Sequence, residues 1–322
     1  MTVRSRMVVI EALSANLATA LTGTFAVHVF PPMGRLGAGL LDVRAALHLE
    51  SADHGKGTGM GDASICINCG RAVADLQQKF CPACGQPTPV HRIDWHFLGH
   101  ELEHSVLHMD RGILYSLKEL MLRPGHLIRS YLEGRRAKQV KPLLLLMISA
   151  AAVVLLGKYL LGGDLLGSAM QAGFSESGAM QPGSGVDPAV AMGTFNMVKD
   201  WINAHLTVVT LFLLPFEAAA FWLAFRGRGL NYPEWLVVTA FLTVQTFVFM
   251  ALAILVRNWV PHAQEWSVAL ASLYAVFSLV QLFRNHAVWT TALRTLVGLG
   301  GFMLVQGLIT LAAAYVFVAM TH

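Results

Sequence analysis

From Leu143 onward the chain alternates long apolar runs with short polar breaks, and five of the runs are long enough to cross a hydrocarbon layer of about 30 Å as helices. They cover about 143–161, 204–225, 235–256, 266–283 and 295–319. The breaks are Lys141-Pro142, Arg226-Gly227-Arg228-Gly229 and Arg257-Asn258, and the third run opens at Pro233-Glu234-Trp235. Upstream the period changes. Leu98, Leu102, Val106, Met109, Ile113, Leu117 and Leu120 recur at steps of three or four, which predicts an amphipathic helix over 93–123. Pro124-Gly125 ends it, and "HLIRSYLEGRRAKQVKP" reads as a second short helix with a basic end. The Gly-, Ser-, Ala- and Met-rich stretch 162–203 reads as a flexible connection with one interfacial helix.

Composition turns this pattern into a class. With 55% hydrophobic residues, 13% charged residues and a mean hydropathy of +0.55, the chain is not a soluble protein. The expected fold is an all-α integral membrane bundle of five transmembrane helices over residues 143–322. A small cytoplasmic ribbon (61–90) and amphipathic juxtamembrane helices (91–142) precede it.

The net charge of +4 matters less than its placement. Arg123, Arg129, Arg135, Arg136, Lys138 and Lys141 precede the first run; Arg226 and Arg228 follow the second, and Arg284 and Arg294 follow the fourth. If the runs alternate, all three groups share one side, which the positive-inside rule makes cytoplasmic. The N-terminal part is then cytoplasmic, the C-terminus lies outside, and the expected compartment is a bacterial inner membrane. Arg123, Arg129, Arg135 and Arg136 are candidates for anionic lipid headgroups. No nucleic acid is expected as a partner.

Residues 1–60 contain "MVVIEALSANLATALTGTFAVHVF" after Arg4 and Arg6, but Glu11 interrupts the apolar run and no small-residue cleavage site follows. The segment reads as a poorly defined or disordered extension, or as a mis-assigned start with Met60 the candidate initiator. An interfacial helix and a targeting segment or span are the alternatives.

All four cysteines fall in one short window, "CINCGRAVADLQQKFCPACGQ". Cys66 and Cys69 form one CxxCG turn and Cys81 and Cys84 another; Gly70 and Gly85 supply the bend that turns backbone amides toward sulfur. Four thiolates can close a tetrahedron, so the expected cofactor is structural Zn²⁺. A rubredoxin-like iron site and four metal-free thiols are the alternatives.

The cysteine turns, "HELEHSVLHMDRGILYSLKELMLRPGHLIRSYLEGRRAKQVKPLLLLM" and "NYPEWLVVTAFLTVQTFVF" resemble an uncharacterised bacterial family of zinc-ribbon membrane proteins, a domain of unknown function. The resemblance covers residues 66 to about 250. It is carried by Arg123, Pro124, Gly125, Tyr131, Gly134, Arg135 and Pro142. It implies a multi-pass protein with a cytoplasmic ribbon, and no activity. Family members often have a histidine after the Glu of YPE, where this chain has Trp235.

Two further features carry candidate chemistry. His100-Glu101-Leu102-Glu103-His104 fits the HExxH spacing, in which His100 and His104 share a helix face and a metal while Glu101 activates water. His96 and His108 continue the same step, and the four histidines lie about 200° from the apolar row, so the bland reading is a polar helix face. Glu217 sits inside the second run, two residues after Pro215, where a carboxylate costs about 2.5–3.5 kcal/mol. An internal contact to Gln245, Gln281 or Gln306 is one reading and a proton or substrate pathway another. Gly298, Gly300, Gly301 and Gly307 read as close helix packing.

These readings give three functional expectations. The first is a non-enzymatic inner-membrane protein whose ribbon and interfacial helices dock a protein partner or lipid. The second is a membrane metallohydrolase on His100, Glu101 and His104, and the third a small-solute or lipid transporter using Glu217.

Overall fold

A computed structural model of the chain describes residues 64–73, 79–88, 90, 92–99, 112–165 and 188–320. The extension 1–60, the HExxH residues His100, Glu101 and His104, His108, and residues 166–187 of the connection lie outside the described residues.

Two strands, β1 (Ser64–Ile65) and β2 (Ala72–Val73), pair antiparallel around the first cysteine turn. A bridge between Phe80 and Pro87 closes the second turn. The helices follow. They are α1 (Ile113–Leu122), α2 (Pro124–Leu132), α3 (Pro142–Leu160), α4 (Pro188–Ala204), α5 (Leu206–Ala224), α6 (Tyr232–Val256), α7 (Ala263–Leu282) and α8 (Val288–Met320). Proline starts α2 and α3 at the first turn, where its missing N–H costs nothing. An Asn231–Glu234 capping box starts α6.

Four helices are long and apolar enough to cross a membrane: α3, α5, α6 and residues 288–309 of α8. The apolar stretch of α7, Trp266–Leu282, is shorter. The sequence boundaries were close, except that α8 starts seven residues before the expected 295. The protein is thus a helical, multi-pass membrane bundle with a small cysteine-rich unit. Phe212, Leu223, Leu255, Leu273, Phe277 and Leu304 point outward along its sides, the apolar girdle that lipid requires.

Helix α6 is the central post. Trp235, Val238, Phe241, Val244 and Gln245 are all enclosed, and α3, α5 and α7 pack along it while α8 packs on α5 and α7. Trp235 stacks on Phe221 (5.8 Å) and Phe283 (6.1 Å). The side chain that departs from the resembled pattern therefore fills the core.

The helices expected at the membrane surface pack on the bundle. The chain 93–123 is helical at 95–99 and again over α1, with residues 100–111 outside the described set. Helices α1 and α2 form a bent hairpin wedged against α6 and α7. The Gln245 amide donates to the Leu120 carbonyl (3.4 Å) and the Tyr274 hydroxyl to the Met121 carbonyl (2.6 Å), which satisfies the end of α1 from the bundle side. Meanwhile Leu114 and Leu122 face outward, 80% and 61% exposed, so both faces of α1 are apolar.

Gly125 makes this seat possible. A Cβ there would lie 2.5 Å from the Gln281 backbone carbon. Arg129 then donates to the Gln281 carbonyl (2.7 Å) and to that of Leu282, capping α7 with a positive charge at its negative end. Desolvation, and then Arg284 nearby, hold the Arg129 guanidinium below its ordinary value.

Candidate metal centre and its attachment to the bundle

The two cysteine turns repeat one geometry. In the first, Cys66 N–H donates to Arg71 O and Gly70 N–H to Cys66 O, both at 2.8 Å; in the second, Cys81 N–H donates to Gln86 O and Gly85 N–H to Cys81 O, again at 2.8 Å. Gly70 and Gly85 take φ of 74° and 71°, left-handed values that a side chain would strain. The turns face each other and bring four sulfurs together.

All four sulfurs lie within 4.8 Å of one another, with Cys66–Cys84 and Cys69–Cys81 at 3.7 Å. A tetrahedral ion with metal–sulfur bonds of about 2.3 Å sets its sulfurs about 3.8 Å apart, so the two 3.7 Å pairs already match such an ion, and the widest spacing, within 4.8 Å, needs to close by no more than about 1 Å. A disulfide needs about 2.05 Å, and all four thiols are free.

The thiols are electrostatically unequal. The Asn68 side chain, and then the Gln86 backbone, pull Cys84 down to about 6. For Cys69 the Arg71 backbone also pulls down, but desolvation and the sulfurs of Cys84, Cys81 and Cys66 outweigh it and leave the thiol raised to about 11.

Two latches hold this unit on the bundle. The first is Gln86, 2% exposed, whose Nε2 donates to Gly134 O (2.9 Å) while its Oε1 accepts from Arg136 N–H (3.0 Å). One amide thus satisfies both sides of the α2–α3 loop. Val90 packs on Gly134, where a Cβ would come within 2.2 Å and where φ is 92°. Arg136 lies over the rings of Phe97 (4.3 Å) and Tyr131 (5.0 Å).

The second latch is Arg92. Its guanidinium meets Glu234 through Nε–Oε1 at 2.6 Å and Nη2–Oε2 at 2.8 Å, and Nη2 also reaches Gly229 O at 2.7 Å. Asn231 Nδ2 donates to Ile93 O (3.0 Å), and Trp95 leans on Tyr232 (5.5 Å). The start of α6 and the segment leaving the cysteine unit are therefore one hydrogen-bonded assembly. YPE signalled a helix start in the sequence; that its Glu also receives Arg92 was not legible there.

The basic loops collect at this same end. Arg294 donates to Ala224 O (3.0 Å) and Arg226 O (3.1 Å), and Arg228 donates to Thr290 (3.2 Å). Of the four arginines proposed for headgroups, Arg129 and Arg136 are engaged in these internal contacts. Arg135 is exposed beside Glu133, and Arg123 is exposed at the hairpin bend. His96 is exposed, and among the described residues the cysteines are the group placed to hold a metal.

Glu217 meets neither Gln245 nor Gln281, two of the glutamines expected for it. Its Oε2 accepts from the Thr243 hydroxyl at 3.1 Å, whereas Gln245 serves Leu120 and Ser278 and Gln281 serves Gly125. Of the four glycines in the last helix, Gly298 and Gly301 pack on Phe221 and Ala220, while a Cβ on Gly300 or Gly307 would meet open space.

A family described as "Protein of unknown function (DUF3667)" matches residues 110–154. That segment contains the α1–α2 hairpin, the Gly134–Arg136 loop that receives Gln86, and the first half of α3. No curated protein and no solved structure matches the chain.

Proposed function

We propose that this chain is a non-enzymatic, five-pass protein of a bacterial inner membrane whose ribbon holds structural Zn²⁺ and presents a docking face to a cytoplasmic protein partner. The observation that carries the reading is the double attachment: a compact cluster of four sulfurs bound through Gln86 and Arg92 to one end of the bundle.

A site with four protein thiolates leaves no position for substrate, so the metal's contribution is to fold the unit. Binding of this kind is worth about 10–16 kcal/mol in zinc-finger peptides, which a unit with almost no apolar core needs.

The loop contacts support five crossings. Arg294 and Arg228 tie the start of α8 to the end of α5, and α6 departs from that same end. Helix α7 therefore returns the chain across the layer. Its apolar stretch spans about 26 Å, and the α1–α2 hairpin fills the remaining depth at its C-terminal end. The arginine-rich end is the cytoplasmic one by the positive-inside rule.

The docking face is the first cysteine turn. Gln86 commits the second turn to the bundle, whereas Ile65 and Ile67 beside Cys66 stay open at 72% and 49% exposure, with Phe80 at 61%. A photo-crosslinking side chain at position 67, in the full chain in native membranes, tests this reading. The expected result is a discrete adduct that disappears in a Cys81→Ser variant still inserted in the membrane. Absence of any adduct, or one indifferent to Cys81, contradicts it.

A further inference from the structure

The transmembrane helices keep their acidic groups near their ends, except for Glu217. It stands eleven residues from Leu206 and seven from Ala224 within α5, so the nearer end is about 10 Å away along the axis. Two residues earlier, Pro215 has no N–H to give the Leu211 carbonyl, and the Pro215 carbonyl accepts from the Tyr232 hydroxyl at 2.8 Å. The helix thus runs on through Pro215 with one backbone hydrogen bond missing beside the carboxyl.

The hydrogen-bond geometry around Thr243 specifies more than polarity. Its Oγ1 lies 2.9 Å from Thr239 O and 3.1 Å from Glu217 Oε2, yet a hydroxyl has one proton to give. With that proton on the Thr239 carbonyl, the Thr243 oxygen faces Glu217 with lone pairs, and a carboxylic acid supplies the missing hydrogen. With it turned to Glu217, the carboxylate is the acceptor. One hydroxyl rotation therefore serves both forms of the carboxyl.

Charge on the surrounding helices does not fix either form. Helix α3 brings Lys158, and α4 brings Lys199, bound to Asp164 at 2.9 Å, and Asp200. Helix α6 brings Tyr232 and Glu234, the latter held by Arg92, and α8 brings Arg294, held by carbonyls at the α5 end. Among the described residues none pairs with Glu217. An unpaired carboxylate in hydrocarbon is expensive and a carboxylic acid is not. Glu217 and Thr243 are both half-buried.

We propose that Glu217 and Thr243 form a proton-binding site within the bilayer, at which the carboxyl gains and loses a proton against the threonine hydroxyl. In the loaded form Glu217 donates to Thr243 Oγ1 and Thr243 donates to Thr239 O. On release the proton passes to water, and the Thr243 O–H turns from the Thr239 carbonyl to the carboxylate. Thr239 and Thr246 lie one turn to either side along the same stripe of α6, which extends the row of hydroxyls. The site is independent of the cysteine cage and its metal.

The test uses the purified full chain in lipid nanodiscs, with infrared difference spectra recorded against Glu217→Gln, which has the shape of the neutral acid. The expected result is a carboxylic-acid carbonyl band at mildly acidic pH that shifts in D₂O, gives way to carboxylate bands as pH rises, and is lost in Glu217→Gln. Thr243→Val, which removes the partner that stabilises the anion, moves that transition to higher pH, and Thr243→Ser restores it. A merely structural contact would not produce this pair of shifts. A carboxylate already present at the acidic end overturns the proposal, as does an acid band that neither exchanges nor titrates. Dicyclohexylcarbodiimide, which reacts with protonated carboxyls in apolar surroundings, supplies a second reading. An adduct mapped to Glu217 and lost in Glu217→Gln supports the site, and a folded chain without that adduct contradicts it.

Discussion

Arg92 and Glu234, 142 residues apart in the chain, meet side by side at 2.6 and 2.8 Å, and the same Glu234 Oε2 accepts the Asn231 N–H at 2.8 Å that completes the α6 cap. The carboxylate is 4% exposed, so its charge depends on these donors. The contact joins a water-facing unit to the central helix of a membrane bundle. It makes the first turn of α6 the place where docking of the cysteine unit is felt.

Removing Arg92 leaves Glu234 enclosed with one backbone donor. Loss of a buried pair costs about 3–5 kcal/mol, but the Arg92 side chain is 61% exposed, which reduces the expectation to about 1–2 kcal/mol. Arg92→Ala is expected to speed limited proteolysis between the ribbon and α1 in membranes. Glu234→Gln combined with Arg92→Ala is expected to cost less than the sum of the single changes.

Gln86→Ala leaves the Gly134 carbonyl and the Arg136 N–H without their partner, a cost of about 1–3 kcal/mol for each buried group that water does not reach. The cage itself keeps its ligands. The expected outcome is full metal content with a ribbon that hydrogen–deuterium exchange shows to be detached.

Glycines that look alike in the sequence differ in consequence. Gly125→Ala drives a Cβ into the backbone of α7, which has no side chain to move aside, whereas Gly300→Ala meets open space. Thermal unfolding in detergent is expected to fall sharply for the first. The second is expected to stay within about 1 kcal/mol of the parent or gain from alanine's better helix propensity.

In the first moments after the metal is chelated, while the two backbone-bonded turns persist, the thiols are expected to react out of order with their exposure. Cys84, pulled to about 6, is a thiolate at neutral pH, whereas Cys69, raised to about 11, is not. Mass spectrometry after brief alkylation is expected to find Cys84 modified first, although Cys69 is the more open of the two.

Much of the architecture was legible because its causes are local. Long apolar runs and their charged breaks mark helices whatever packs on them, and two CxxCG turns specify their own geometry. What the pattern did not carry is depth and partnership. The spacing of Ile113, Leu117 and Leu120 is the same whether a helix lies on lipid or in a bundle. Only the carbonyls of Leu120 and Met121, met by Gln245 and Tyr274, distinguish the two. Glu217 likewise finds a threonine rather than a distant glutamine because register along α6, invisible in the chain, sets Thr243 beside it. Arg129 and Arg136 read as headgroup ligands because nothing near them in sequence announces the carbonyls and rings that occupy them.

The central claim, that four cysteines form one metal cage that holds the ribbon together, is tested most directly by metal analysis of the purified full chain by inductively coupled plasma mass spectrometry. The expected result is about one Zn²⁺ per chain in the parent and loss of that ion in Cys81→Ser, with the helical content of the bundle retained. Unchanged zinc content in Cys81→Ser, or a folded parent with no bound metal, would contradict the account.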